Sequence, residues 1–143
     1  MEIERFGEGD IKTIEELEEK SDIKLPYDYK NFLIKNNGAR VNDGIFHVKA
    51  LDEDILLHIF FGTKLEKKAL NLEFWNQEYG DEIPENSLLI GRDPGGAFIL
   101  LIFDGENDGV YFYDHAFAFD QSYEDENTYF IAQSFESFLY LLE

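Results

Sequence analysis

One short segment of the chain carries carboxylates at a spacing that could hold a cation. In "DGENDG", the residues Asp104, Glu106, Asp108 and Gly109 fall at positions 1, 3, 5 and 6 of a calcium-binding loop. Such a loop also needs a bidentate glutamate at position 12 and flanking helices, whereas position 12 here is His115 and the flanking sequences favour strands. A hairpin turn is therefore the favoured interpretation of this segment, and weak cation binding stays open as an alternative.

Two other motifs match catalytic or phosphate-binding patterns only in part. The segment "RDPGG" places Gly95 and Gly96 before an apolar strand, whereas a P-loop needs a lysine and a following helix. Asp114 and His115 could act as an orienting acid and a base, but a nucleophilic triad also needs a positioned serine or cysteine. The chain has no cysteine, and none of its serines lies in a recognisable nucleophile elbow. These patterns predict a tight turn at "RDPGG" and no catalytic residue, cofactor or metal site.

The charge of the chain limits its partners. Asp and Glu number 31 against 12 Lys and Arg, which gives a formal charge of −19. So many acids produce accidental carboxylate pairs, and a glycosidase-like pair therefore carries no weight. A field of this sign repels nucleic acids and anionic lipids and attracts basic proteins. The alternative is that the excess acid only keeps the protein in solution.

Nothing in the sequence indicates export or a membrane. The N-terminal segment "MEIERFGEGD" is acidic and polar, unlike a signal peptide. The longest apolar run is "AFILLIF", seven residues long, whereas a membrane-spanning helix needs about 20. The absence of cysteine also suits a reducing compartment. We therefore expect a cytoplasmic protein without a membrane segment.

The N-terminal third of the chain predicts two helices. A capping box of Thr13 and Glu16 should begin the first helix, which should end near residues 20–22. Pro26 suits the first turn of a second helix, and Gly38 can adopt the left-handed conformation that ends it. The apolar spacing of the second helix predicts that one face is buried in the core, with the members Leu25, Tyr29, Phe32 and Leu33.

The remainder of the chain is dominated by strand signals. Strands are predicted at "GIFHV", "DILLHIFF", "SLLIG", "AFILLIF" and "VYFYDH", and His47 and His58 within them are expected to be structural. A helix with apolar positions at 65, 72, 75 and 79 should end at Gly80, and Ser134 should begin the last helix. The predicted fold class is α+β, with a mainly antiparallel sheet, helices packed against it, and one domain over residues 1–143.

These motifs, taken in order, resemble the SUKH superfamily of fungal cell-wall-synthesis regulators and bacterial toxin-immunity proteins. The N-terminal part of the resemblance lies in "IEELE", "LPYDY", "FL" and "NG". The C-terminal part lies in "LIG", "DPGG", "FIL", "VYFYDH" and the helix "SFESFL". The resemblance covers nearly the whole chain, except that nothing can be carried over for residues 40–85. It implies a SUKH-like fold with no catalytic residue and no cofactor.

The resemblance implies a non-enzymatic protein-binding module, and first of all an immunity protein that neutralises a bacterial toxin. The acidic charge of the chain adds that this toxin should have a basic surface, as a toxin acting on nucleic acid would. A regulatory scaffold or adaptor is the second interpretation, and an enzyme acting on a small molecule is the third. No nucleic-acid or membrane partner is expected, and the oligomeric state stays open. Acids that folding does not need should form the binding surface, with Tyr123 as an aromatic anchor. The candidates lie in two loops and are Asp104, Glu106, Asp108, Asp120, Tyr123, Glu124, Asp125 and Glu126.

Overall fold

One antiparallel sheet organises the residues that a computed structural model describes, 1–114 and 127–142. Its seven strands follow one another in chain order: β1 (Glu2–Arg5), β2 (Ala39–Val48), β3 (Glu53–Phe60), β4 (Ser87–Arg92), β5 (Phe98–Ile102), β6 (Gly109–Tyr113) and β7 (Thr128–Ala132). The described residues also contain four α-helices: α1 (Ile11–Ser21), α2 (Tyr27–Asn36), α3 (Leu72–Tyr79) and α4 (Phe135–Leu141). The predicted α+β class with a mainly antiparallel sheet is confirmed.

Helices cover both faces of the sheet. The ring of Phe60, at the end of β3, packs edge-on against Phe135 and Phe138 of α4. The next residue, Phe61, stacks instead on Trp75 of α3, with ring centroids 5.8 Å apart. Because successive side chains of an extended chain point to opposite faces, α4 and α3 lie on opposite sides of the sheet.

The sheet is strongly curled. In a flat sheet β2 and β6 would lie about 19 Å apart, since adjacent strands are spaced about 4.8 Å. The rings of Phe46 on β2 and Phe112 on β6 are nevertheless only 6.1 Å apart between centroids, and Phe46 also contacts Phe138. The inner face of the curl is therefore an aromatic core closed by α4, and the outer face carries α3.

The first helix ends at Ser21, within the predicted range, but it begins earlier than predicted. Asp10, not Thr13, is the N-cap of α1, because its side chain accepts a hydrogen bond from the Lys12 N–H. The Thr13 hydroxyl donates to the other oxygen of Asp10, so the capping box at Thr13 is wrong by one turn. Asn37, with φ 46°, ends α2, and Gly38 follows with φ 82°.

The middle helix is shorter than predicted. It begins at Leu72, and Leu65 lies outside it, beyond a 3₁₀ turn at Lys68–Leu70. The side chain of Asn71 is the reason. It accepts a hydrogen bond from the Leu65 N–H and donates one to the Leu65 carbonyl oxygen, and these two bonds hold residues 65–71 in a loop. The strands β1 and β7 were not predicted, because β1 is short and polar and "TYFIA" in β7 shows no regular alternation of buried and exposed positions.

The expected turns and the last helix cap are present. "RDPGG" and "DGENDG" lie on either side of β5, and Gly96 adopts φ 96° in the first turn. Ser134 is the N-cap of α4, where its hydroxyl accepts from the Ser137 N–H at 3.1 Å. Leu25, Tyr29 and Leu33 are buried, whereas Phe32 is only half-buried against the core.

Candidate partner-binding surface and its scaffold

The motif "LPYDY" joins two helices that are far apart in the sequence. One carboxylate oxygen of Asp28 accepts a hydrogen bond from the Tyr29 N–H at 2.8 Å, in the first turn of α2. The other oxygen accepts from the Glu136 N–H at 2.9 Å, in the first turn of α4. A carboxylate at the positive ends of two helices satisfies free amides of both and interacts favourably with both dipoles. Asp28 therefore fixes the position of α4 against α2.

Removal of this carboxylate should loosen the junction between α2 and α4. We expect Asp28→Ala to lower the free energy of unfolding by about 1–2 kcal/mol, because two helix N-termini lose an acceptor. Asp28→Asn keeps one acceptor oxygen and should be milder. Urea denaturation of the three proteins measures the difference, and an unchanged midpoint for the alanine variant would show that the two contacts are not stabilising.

The motif "NG" closes a second long-range contact, in the interior. The Asn37 side chain accepts hydrogen bonds from the N–H and the hydroxyl of Thr63 at 2.8 and 3.0 Å, and donates to the Thr63 carbonyl at 3.0 Å. Both residues are buried. A Cβ on Gly38 would lie 2.6 Å from the Phe60 carbonyl oxygen, and one on Gly62 would lie 2.0 Å from that of Asn37. The end of α2 thus packs directly on the backbone that follows β3.

The acidic turn after β5 uses two of its three carboxylates to hold its own backbone. Asp104 accepts from the N–H groups of Glu106 and Asn107, at 2.9 and 2.6 Å. Asp108 accepts from the Gly105 N–H at 2.8 Å. The Glu106 carboxylate makes no hydrogen bond or ion pair to any described residue. As far as residues 1–114 and 127–142 are concerned, Glu106 is therefore the acid of this turn that folding leaves free.

The same hydrogen bonds determine the electrostatics of the turn. Hydrogen bonds from two backbone N–H groups stabilise the charged form of Asp104 and lower its pKa below the ordinary value. The bond from Asn107 has the larger effect, and the bond from Glu106 has the next largest. The stabilisation from this charged form is present above the ordinary aspartate pKa and is lost as the pH falls through the lowered one. Within residues 1–114 and 127–142, no three His, Asp or Glu side chains are arranged to hold a metal ion.

An aromatic pair lies directly beside the acidic turn. The Tyr111 hydroxyl of β6 donates to the Asn107 carbonyl oxygen at 2.8 Å. Its ring meets that of Phe130 on β7 edge-to-face, with centroids 5.5 Å apart. Phe130 is 50% exposed, which is high for a phenylalanine in a sheet. The acidic pattern of the sequence gave no indication of Phe130, although a phenylalanine in a strand of mixed polarity is a signal for an exposed site.

The second predicted loop, with Asp120, Tyr123, Glu124, Asp125 and Glu126, lies outside the described residues, as does His115. The part of these residues in binding stays a prediction. The sequence itself carries a further signal that supports an acidic surface at this end of the chain. No Lys or Arg follows Arg92, whereas eleven Asp and Glu residues do.

The two histidines of the β2–β3 region differ in their surroundings. His47 is exposed, and its ring nitrogens lie 2.9 Å from Asp54 and 3.3 Å from Asp52. His58 is half-buried, and its Nδ1 has no hydrogen-bond partner among the described residues. No helix in the described ranges has the length and apolar character needed to cross a bilayer.

Comparison with known proteins identifies two similarities. Residues 10–141 match the SMI1 / KNR4 family (SUKH-1). The chain is also 30% identical over 148 aligned positions to the SPbeta prophage-derived uncharacterized protein YokK of Bacillus subtilis (strain 168). That alignment covers 92% of this chain and 73% of the relative. The extent of a single domain over residues 1–143 stays a prediction.

Proposed function

The chain belongs to the SMI1/KNR4 family (SUKH-1), and we propose from this that it is a non-enzymatic immunity protein that binds and neutralises a toxin with a basic surface. Family membership supports a role in protein binding. The observation that carries the choice of partner is the charge of −19, with eleven acids and no Lys or Arg after Arg92.

The charge supports the proposal through association kinetics. A toxin that acts on a nucleic acid needs a basic surface to bind phosphates. A strongly acidic inhibitor accelerates the encounter with such a surface and can compete with the phosphates for it. Acids that make no hydrogen bond or ion pair within the fold are available for this contact. Glu106 is one such acid among the described residues.

Capture followed by a toxicity assay tests the function. The tagged chain is used to isolate bound proteins from a lysate of the organism that encodes it, and each captured protein is expressed in a bacterial host with and without the chain. We expect one captured protein to arrest growth alone and to be harmless with the chain present. If every captured protein is harmless alone, the immunity function is wrong, and the regulatory scaffold becomes the better interpretation.

Charge reversal in the acidic turn should slow association with the captured partner. We expect Glu106→Lys to reduce the association rate roughly two- to fivefold at low salt, with little difference at high salt, because screening weakens steering beyond about 8–10 Å. Glu15→Lys, an equal charge change on the exposed side of α1, serves as the matched control. Stopped-flow or surface-based kinetics at two salt concentrations gives the rates.

An equal slowing by Glu106→Lys and Glu15→Lys would mean that only the net charge matters and that the turn is not the landing site. The reversal of Glu124, Asp125 and Glu126 together extends the test to the second predicted loop. Its control is the reversal of Glu15, Glu16 and Glu19 together, an equal charge change on exposed residues of α1. A loss confined to the loop variant would place the contact on that loop rather than on the turn.

A further inference from the structure

We infer that the exposed aromatic face formed by Tyr111 and Phe130, on β6 and β7, is the docking site for an arginine side chain of a basic protein partner. This inference rests on the proposed function and adds the surface and the chemical class of the contact. It follows from the geometry of the aromatic pair, its connection to the acidic turn, and a comparison with two other exposed apolar surfaces.

Phe130 packs against its neighbours and is still largely accessible to solvent. Its ring lies edge-to-face with Tyr111 at an interplanar angle of 78°, and half of its surface is exposed. A Cβ on Gly109 would lie 3.1 Å from Phe130 Cε1 and 2.6 Å from the Ala132 carbonyl oxygen. Only a glycine at this position allows the ring and the strand to lie so close. Phe130 is therefore packed closely on one side and exposed to solvent over half of its surface.

The acidic turn gives this aromatic surface its charge preference. Tyr111 connects the two, because its ring contacts Phe130 and its hydroxyl binds the Asn107 carbonyl oxygen. Partial burial, and after it the charges of Asp104 and Asp108, raise the pKa of Tyr111. The two carboxylates thus act on the aromatic pair electrostatically.

An arginine fits this combination better than other side chains. A guanidinium group can stack on an aromatic ring with its flat face while its N–H groups donate to a carboxylate at the edge. Here the half-exposed ring of Phe130 supplies the aromatic surface. The turn that Tyr111 binds supplies the carboxylates, among which that of Glu106 has no partner in the described ranges. A lysine ammonium is a compact charge with no flat face to stack on the ring and no rigid fork of donors, so the combination favours arginine.

Two of the other exposed apolar surfaces lack one of these components. Ile45 and Leu56 face each other across β2 and β3 and are 51% and 46% exposed, but both are aliphatic and present no aromatic ring to a cation. Beside them, Asp52 and Asp54 are already close to His47. Tyr140 is also exposed, but it belongs to α4 and not to the acidic turn or to the strands β5 and β6 that the turn joins.

Peptide titration tests the site without the natural partner. The isotopically labelled chain is titrated with a six-residue arginine peptide and, separately, a six-residue lysine peptide, and amide shifts are followed by NMR. We expect the largest shifts at residues 104–111 and 128–132, with tighter binding of the arginine peptide. Phe130→Ala should weaken arginine-peptide binding about two- to fivefold, the range expected for an exposed cation–π contact.

Three further variants separate the effect of the aromatic ring from the effect of an apolar side chain of similar size and from a general effect of losing an exposed aromatic residue. Phe130→Leu keeps an apolar side chain and should not restore affinity, whereas Phe130→Tyr should. Tyr140→Ala, another exposed aromatic, should leave binding unchanged. The inference is overturned if the shifts centre on Ile45 and Leu56, if they spread evenly over the acidic residues, or if Phe130→Ala binds as tightly as the unmodified chain.

The captured toxin distinguishes failure of this site from failure of the function. If Phe130→Ala neutralises the toxin with undiminished affinity, the aromatic face is not the docking site, although the immunity function stands. If no captured protein is toxic, the immunity function fails whatever the peptide titration shows. A selective loss of both arginine-peptide binding and toxin affinity in Phe130→Ala supports the site.

Discussion

Replacing Asn37 with alanine should lower the free energy of unfolding by about 3–4 kcal/mol. The substitution leaves the N–H, the hydroxyl and the carbonyl of Thr63 without the partner that they have now, and Thr63 is buried. An unsatisfied buried polar group costs about 1–3 kcal/mol, and the loss at three groups of one residue is not fully additive. Urea denaturation of the variant and the unmodified chain measures the change.

The backbone conformation of Asn37 requires a matched control. Its φ is 46°, a left-handed conformation in which alanine is strained by about 1–2 kcal/mol per residue and asparagine by less. Asn86 has φ 53° but is exposed, and its side chain makes no hydrogen bond to the described residues. Asn86→Ala therefore isolates the backbone effect. Equal losses for the two variants would contradict a stabilising role of the Thr63 contacts.

The sequence predicted the local structure of the "LPYDY" and "NG" motifs better than their connections. Proline before a helix and Asn-Gly after it are local patterns, and they identified the bounds of α2 to within two residues. The contact from Asp28 to the Glu136 N–H spans 108 positions, and that from Asn37 to Thr63 spans 26. No spacing rule links such distant residues, because their proximity depends on how the whole sheet curls.

The strands were predicted where apolar residues dominate and missed where burial is uneven. The run "AFILLIF" is buried on both sides as β5, so its pattern is unambiguous. β1 is exposed along its length, and β7 is only partly buried, so neither carries a clear alternation. Both are the outermost strands of the sheet among the described residues. An edge strand depends on its neighbour more than on its own composition.

The candidate surface was predictable only in its acidic part. Carboxylate density pointed to the turn at residues 104–108, but the pattern did not separate acids that hold the turn from one that is free. That division depends on which N–H groups the turn directs at Asp104 and Asp108. The aromatic part was missed because Phe130 reaches Tyr111 only through the pairing of β6 with β7.

The core of the helix layer is centred on Phe135 rather than on Phe32. Phe135 is 1% exposed, and its ring centroid lies 5.1 Å from Tyr29, 5.0 Å from Phe32 and 5.7 Å from Phe60. These rings come from α2, the end of β3 and α4. Phe32 lies at the margin of the same cluster and is half-buried. Helical spacing correctly indicated the face of α2 that packs on the core, but it did not indicate how deeply each residue on that face is buried.

Phe135→Ala should consequently lower the free energy of unfolding by about 3–5 kcal/mol, since it leaves a cavity between three aromatic rings. Phe32→Ala should lower it by roughly 2 kcal/mol, because part of that ring is already in water and the cavity can open to solvent. Phe135→Leu, which retains most of the volume, should lie near 1–2 kcal/mol, roughly the range of a conservative core change. Chemical denaturation of all three variants, fitted with a common dependence of the unfolding free energy on denaturant concentration, gives the order of their stabilities.

If Phe32→Ala proves as destabilising as Phe135→Ala, the depth of burial assigned to the two rings is wrong. If Phe135→Ala instead unfolds only α4, as a separate early transition seen by hydrogen exchange at residues 135–141, the ring holds that helix to the sheet without supporting the aromatic core.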